Sequence, residues 1–98
     1  MMIDKTTLNE IKKIIFRYLN PKEYQAFIFG SRATGEAVKF SDIDIGIMAK
    51  KEVDGETLAK IESAFEDSDI PYKVEVVDFS LVSKRFKRVA LKKIISLS

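Results

Sequence analysis

Asp42 and Asp44 stand two apart in the stretch Ser41-Asp42-Ile43-Asp44-Ile45. In an extended strand such residues point to one face, with α-carbons about 6.6 Å apart, a spacing at which two carboxylates can share one hard cation. Without a cation, two like charges held that close oppose each other's ionisation. An Asp-x-Asp pair by itself is common, and reads equally well as two acids on a wetted strand edge. The turn that precedes this pair sets it apart. Gly30-Ser31 follows a short apolar run and opens a stretch able to form a helical turn, so free backbone N–H groups there can cradle phosphate. Gly30 permits close backbone approach, Ser31 adds a hydroxyl donor, and the Arg32 guanidinium suits phosphate oxygens. Lys39 and Ser41 flank the same loop and read better as solvated residues.

Composition removes the rival chemistries. The 98 residues contain no histidine and no cysteine. Ser-His and Cys-His nucleophiles, thiolate and histidine zinc sites and disulfides are therefore all excluded, which leaves carboxylates as the acid–base and metal groups. The length fits one domain over 1–98, with a modest core. No apolar run approaches the roughly 20 residues that span a bilayer and no signal peptide is visible, so a cytoplasmic setting is expected. Net charge is +2 but unevenly placed: Ser83 to Ser98 carries six basic residues and no acid. That run reads as the wet face of a terminal helix, and direct nucleic-acid binding is not expected.

The elements that must position these groups follow from periodicity. Thr7 and Glu10 have capping-box spacing, and Leu8, Ile11, Ile14, Ile15 and Tyr18 recur at helical intervals until Pro21. Ala26 to Phe29 reads as a buried strand stopped by Gly30. From Ser31 to Val38 the chain has room for one or two helical turns. Asp42 to Met48 alternates, with Ile43, Ile45 and Ile47 on one side and Asp42, Asp44 and Gly46 on the other. Asp54 caps a helix with Leu58, Ile61 and Phe65 inward. Tyr72 to Phe79 is a third strand with a β-branched centre. Ser80 or Ser83 caps a last helix, with Val82, Phe86, Val89 and Ala90 inward and the lysines outward. The phenylalanines at 16, 27, 29, 65 and 86 read as core. An α/β (α+β) arrangement is predicted, a small mixed sheet of about three strands with flanking helices, covered mainly on one face.

Gly30-Ser31, ten residues, then Asp42-Ile43-Asp44 resembles the signature of the DNA polymerase β-like nucleotidyltransferases. The fuller stretch, Gly30-Ser31-Arg32-Ala33-Thr34-Gly35 through Ile45, is similar to the minimal nucleotidyltransferases of bacteria and archaea, over roughly residues 24 to 95. The resemblance implies that Gly30 and Ser31, with Arg32, hold a nucleoside triphosphate. It implies that Asp42 and Asp44 bind two magnesium ions, with manganese as the alternative, and that a later strand supplies a third carboxylate. The reaction implied is in-line attack by a hydroxyl on the α-phosphorus, with release of pyrophosphate. The family usually reads Val-Asp-x-Val-Asp at the third acid, where this chain has Val74-Glu75-Val76-Val77-Asp78. Alignment puts Glu75 at the catalytic position. Residues 75 and 78 have opposite parity in a strand, so one of them at most faces the aspartates.

The activity implied is AMP transfer from ATP to a hydroxyl. Minimal nucleotidyltransferases are often paired with a HEPN-domain protein, usually a toxin ribonuclease, and act as its antitoxin, in some pairs by adenylylating a tyrosine. Two alternatives stand beside this. One is a nucleotidyltransferase-fold binding module that neutralises a partner by contact, Glu75 having weakened catalysis. The other is nucleotidyl transfer to a small molecule, though family members of that type generally carry an added helical domain.

Overall fold

The computed structural model describes residues 3–30, 33 and 42–97. Helix α1, Lys5–Tyr18, starts at Asp4, whose carboxylate accepts a hydrogen bond from the Thr7 N–H at 2.7 Å. The cap expected at Thr7 is therefore one turn too late. The earlier acid takes the free N–H groups, and the hydrogen bonds from Thr7 hold the Asp4 carboxyl below its usual value. Ile11, Ile14 and Ile15 form the buried stripe. Strand β1 is Gln25–Phe29 and β2 is Ile43–Met48. Helix α2, Gly55–Glu66, is capped by Asp54 and buries Ile61 and Phe65. Strand β3 is Val74–Asp78, α3 is Lys84–Ala90 capped by Ser83, and β4 is Ile95–Ser96.

The strands lie in the order β3-β2-β1-β4, with β2 parallel to β3 and antiparallel to β1, and β4 antiparallel to β1. The sheet thus has four strands rather than about three. The extra one is two residues long, too short to show alternation, and is held where the Leu97 N–H reaches the Ala26 carbonyl at 2.9 Å.

One sheet face carries Ala26, Ile28, Ile43, Ile45 and Ile47 against the buried residues of α1 and α2, in one apolar core. The opposite face carries Phe27 and Phe29 of β1, which with Phe79 form a second cluster beneath α3. Their rings meet edge to face, with centroids 4.9 Å apart for Phe27–Phe79 and 5.1 Å for Phe29–Phe79. Val82 and Ala90 pack on this cluster as expected. Phe86 and Val89 do not go inside, and α3 has no buried residue. A helix of seven residues offers one narrow line to the cluster. Phe86 and Ala90 occupy it at i, i+4, and Val89 falls to its side.

Asp78, the acid at the other parity, ends β3 on the core face opposite Ile47 and is only 6% exposed. One carboxylate oxygen accepts from the Val53 N–H at 2.7 Å. The other accepts from the Ser80 N–H at 2.9 Å and the Ser80 hydroxyl at 2.7 Å. The side chain ties the end of the strand to the segment entering α2. Both oxygens face donors, so in Asp78→Asn the amide NH₂ must confront an N–H. Chemical denaturation should show a loss of about 2 kcal/mol, the scale of a buried donor left without its acceptor.

Candidate functional site

The chain leaves β1 at Gly30, whose φ is +76°, a left-handed conformation that favours glycine. The turn closes with the Ala33 N–H on the Gly30 carbonyl at 3.1 Å. Asp44 sits on the central strand opposite this turn. Its α-carbon pairs with Phe29 on one side and with Glu75 on the other. Paired residues share a sheet face, so Asp44 and Glu75 point the same way, while Asp42, expected in the strand, lies exposed just ahead of it. A Cβ placed on Gly30 would lie 2.7 Å from Asp44 Oδ2, so the glycine backbone lies directly against this carboxylate. The structure thereby brings Gly30, Asp44 and Glu75 to one end of one face. Ser31, Arg32, Lys39 and Ser41 lie outside the described residues.

Glu75 is exposed and pairs with Lys73 at 3.5 Å. Lys73 is a neighbour of the site that no motif marks. It stands two residues before Glu75, just ahead of β3, and that spacing is the signal that identifies it. Among the described residues no three acidic side chains are closed up into a ready metal-binding group. The acids share a face, but Glu75 leans on a lysine.

Charge crowding shows at Asp44. Burial, and then the nearby charges of Glu75 and Asp42, raise its carboxyl above the ordinary 3.8. A folded-state value above the unfolded one means that the folded chain binds the extra proton between the two values. Stability is then lost as pH rises through that window. At neutral pH the charged Asp44 works against the metal-free fold. Asp44→Asn should accordingly raise the melting temperature of the metal-free protein at pH 7, with the gain vanishing at pH below the ordinary carboxylate value. Thermal scans across pH check this, and equal stability of the two proteins at pH 7 contradicts it.

Gly30 has two constraints, a left-handed backbone and no space for a Cβ. Gly30→Val should cost about 1–3 kcal/mol of stability. It should also push the Asp44 carboxylate aside, so that nucleotide affinity falls by more than the stability loss explains. Calorimetric titration with a non-hydrolysable nucleotide separates the two effects.

A mixed sheet with acids on its central strand beside a glycine turn is the framework of a nucleotidyltransferase, and the comparisons agree. A chain of a toxin–antitoxin structure solved with AMP-PNP superposes with a TM-score of 0.75 at 23% identity, covering 93% of this chain and 72% of that one. A chain of a tri-AMPylated Shewanella oneidensis HEPN toxin in complex with MNT antitoxin gives 0.73 at 20% identity, covering 98% and 72%. At these identities the likeness is one of fold. The sequence matches the family model described as polymerase beta, nucleotidyltransferase, over residues 9–97. It is also 34% identical over 82 residues to a probable protein adenylyltransferase MntA of Haemophilus influenzae, covering 84% of this chain and 71% of that protein. The chain belongs to the polymerase β nucleotidyltransferase family.

Proposed function

We propose that this chain transfers AMP from ATP to a hydroxyl of a HEPN-type partner protein, acting in the cytoplasm as its antitoxin, with residues 1–98 forming one nucleotidyltransferase domain. The observation that carries the catalytic part is the convergence of Gly30 and Glu75 on Asp44. The substrate class rests on the likeness to the Haemophilus protein adenylyltransferase and on the fold shared with toxin–antitoxin complexes, one solved with AMP-PNP and one holding an AMPylated toxin. Among the described residues no helix is long and apolar enough to cross a membrane.

The donor chemistry fits magnesium. Hard carboxylate oxygens, with burial and then neighbouring negative charge already raising Asp44, suit hard divalent cations, and Asp42, Asp44 and Glu75 would hold them. Two such ions, or manganese in their place, would supply charge neutralisation at the attacking and leaving oxygens. The protein's own share is positional. Gly30 lets the backbone approach the triphosphate, and Ser31 and Arg32 add donors to its oxygens. Glu75 leaves Lys73, orients the partner's hydroxyl and takes its proton. The hydroxyl oxygen bonds to the α-phosphorus, the bond from that phosphorus to the bridging oxygen breaks, and pyrophosphate departs.

ATP labelled at the α-phosphorus tests this when supplied with the HEPN-domain protein of the same genome. The account predicts label on that protein. Label on it from γ-labelled ATP instead points to a kinase, and no label from either favours the second reading. In that reading the chain is a binding module that acts by contact, which the Glu75–Lys73 pair favours because it occupies the third carboxylate.

A further inference from the structure

The face that carries Asp44 and Glu75 runs on into a surface that the described chain leaves uncovered. Phe86 of α3 packs edge to face on Phe29 with centroids 6.0 Å apart, and Phe29 is the strand partner of Asp44. Phe86 nevertheless remains 43% exposed, and Val89, one turn further on, is 60% exposed. Leu81, in the turn leading into the helix, is 67% exposed. Cations stand around these apolar groups. Lys84, Arg85 and Arg88 are exposed on α3, and Lys92 and Lys93 follow it. From Phe79 to Ser98 the chain has no acid to balance them.

Resting on the reading above, we propose that this surface docks the acceptor protein, through a partner patch that is apolar at its centre and acidic at its rim. An exposed aromatic flanked by aliphatic side chains and arginines has the composition of a protein-interface core within a polar rim. Three features select the occupant. A second copy of this chain would lay the cationic helix on its own image, setting like charges against one another in a two-fold contact. Nucleic acid would satisfy the cations but leave Leu81 and Val89 wet, since phosphate contacts bury no aliphatic surface. An acidic protein surface satisfies both. Continuity decides the position: because Phe86 touches Phe29 beside Asp44, a protein seated on α3 has its adjoining surface next to the carboxylates, where an acceptor hydroxyl is needed.

The test combines Arg85→Glu with Val89→Asp and measures binding to the HEPN-domain protein of the same genome. Affinity should fall by at least about 30-fold, the scale of hot-spot loss, with AMP transfer falling alongside. Magnesium-dependent ATP binding and circular dichroism should remain those of the wild type, and Arg85→Lys should bind nearly normally. Leu81→Asp, outside the helix, is the second variant should the double change disturb folding, and it should weaken binding in the same direction. Wild-type affinity in both Leu81→Asp and the folded double variant, beside normal transfer, overturns the docking surface and leaves the proposed function standing. If the wild type neither binds nor labels the HEPN protein, the functional reading itself falls, and the inference with it. A wild-type dimer that the double variant dissociates, or a labelled single-stranded RNA that only the wild type retains, assigns the surface to the other occupants and overturns the proposal.

Discussion

Glu75→Gln is expected to lower AMP transfer by about 100-fold or more while leaving ATP binding nearly unchanged. In the proposed site Asp42 and Asp44 alone would hold the nucleotide-bound ion, whereas Glu75 would complete the site of the second, catalytic ion and act on the attacking hydroxyl. Its register opposite Asp44 puts it on the correct face, and its exposure leaves it free to leave Lys73. A group needed mainly as the transition state forms lowers turnover without lowering affinity. Glutamine keeps the size and removes both the charge and the ability to take a proton. Glu75→Asp restores the carboxylate length usual in the family and should retain or raise activity, because a shift of about 1 Å in a catalytic group can change rate by about 100-fold. Single-turnover transfer alongside calorimetric titration checks both variants. Matched losses in binding and turnover would make Glu75 a nucleotide-binding residue instead.

Among the described glycines, Gly46 is the one where an added methyl group, as in Gly46→Ala, meets the most crowding. Gly46 lies at the centre of β2 on the aromatic face. A Cβ there would fall 2.4 Å from Phe27 Cε2, 2.5 Å from Phe27 Cζ and 2.7 Å from Phe79 Cε1. Both rings are almost fully buried and locked edge to face, so neither can give way without disturbing Phe29 and the helix above. Overpacking of a close-packed core typically costs 1–3 kcal/mol, and here the expected cost is at the top of that range, about 3 kcal/mol. For a chain of this size that is a fall in Tm of more than about 10 °C. Thermal unfolding measures it, and a change under about 1 kcal/mol would mean that the two rings repack freely.

The framework of the site was legible because it rests on local signals. The alternation Ile43-Ile45-Ile47 against Asp42-Asp44-Gly46 specifies both the strand and its two faces, and β2 carries all of these but Asp42, which precedes it. Glycine after an apolar run marked the turn, and opposite parity separated Glu75 from Asp78. What stayed hidden depends on contacts between distant segments. The close approach of Gly30 to Asp44 needs the register of β1 on β2, which no spacing encodes. Asp78 was readable as a strand-end acid, but its bond to Val53, 25 residues away, was not. Strand β4 has two residues and exists because Phe27 and Ile28 offer it an edge. Helical period alone puts Val89 inward. Period sets which residues share a stripe, while the narrow aromatic cluster sets how much of that stripe is covered.

Asp44 of β2 and Asp42 just ahead of it are proposed to drive AMP transfer to a HEPN-type protein. Intact mass of that protein tests this most directly, after co-expression with the wild type and separately with the Asp42→Asn, Asp44→Asn double variant. The account predicts a partner heavier by one or more adenylyl groups with the wild type, and an unmodified partner with the double variant. Circular dichroism should show the double variant folded, since neither side chain belongs to the apolar core. Equal adenylylation by both proteins, or an unmodified partner beside a folded wild type that binds it, would contradict the account.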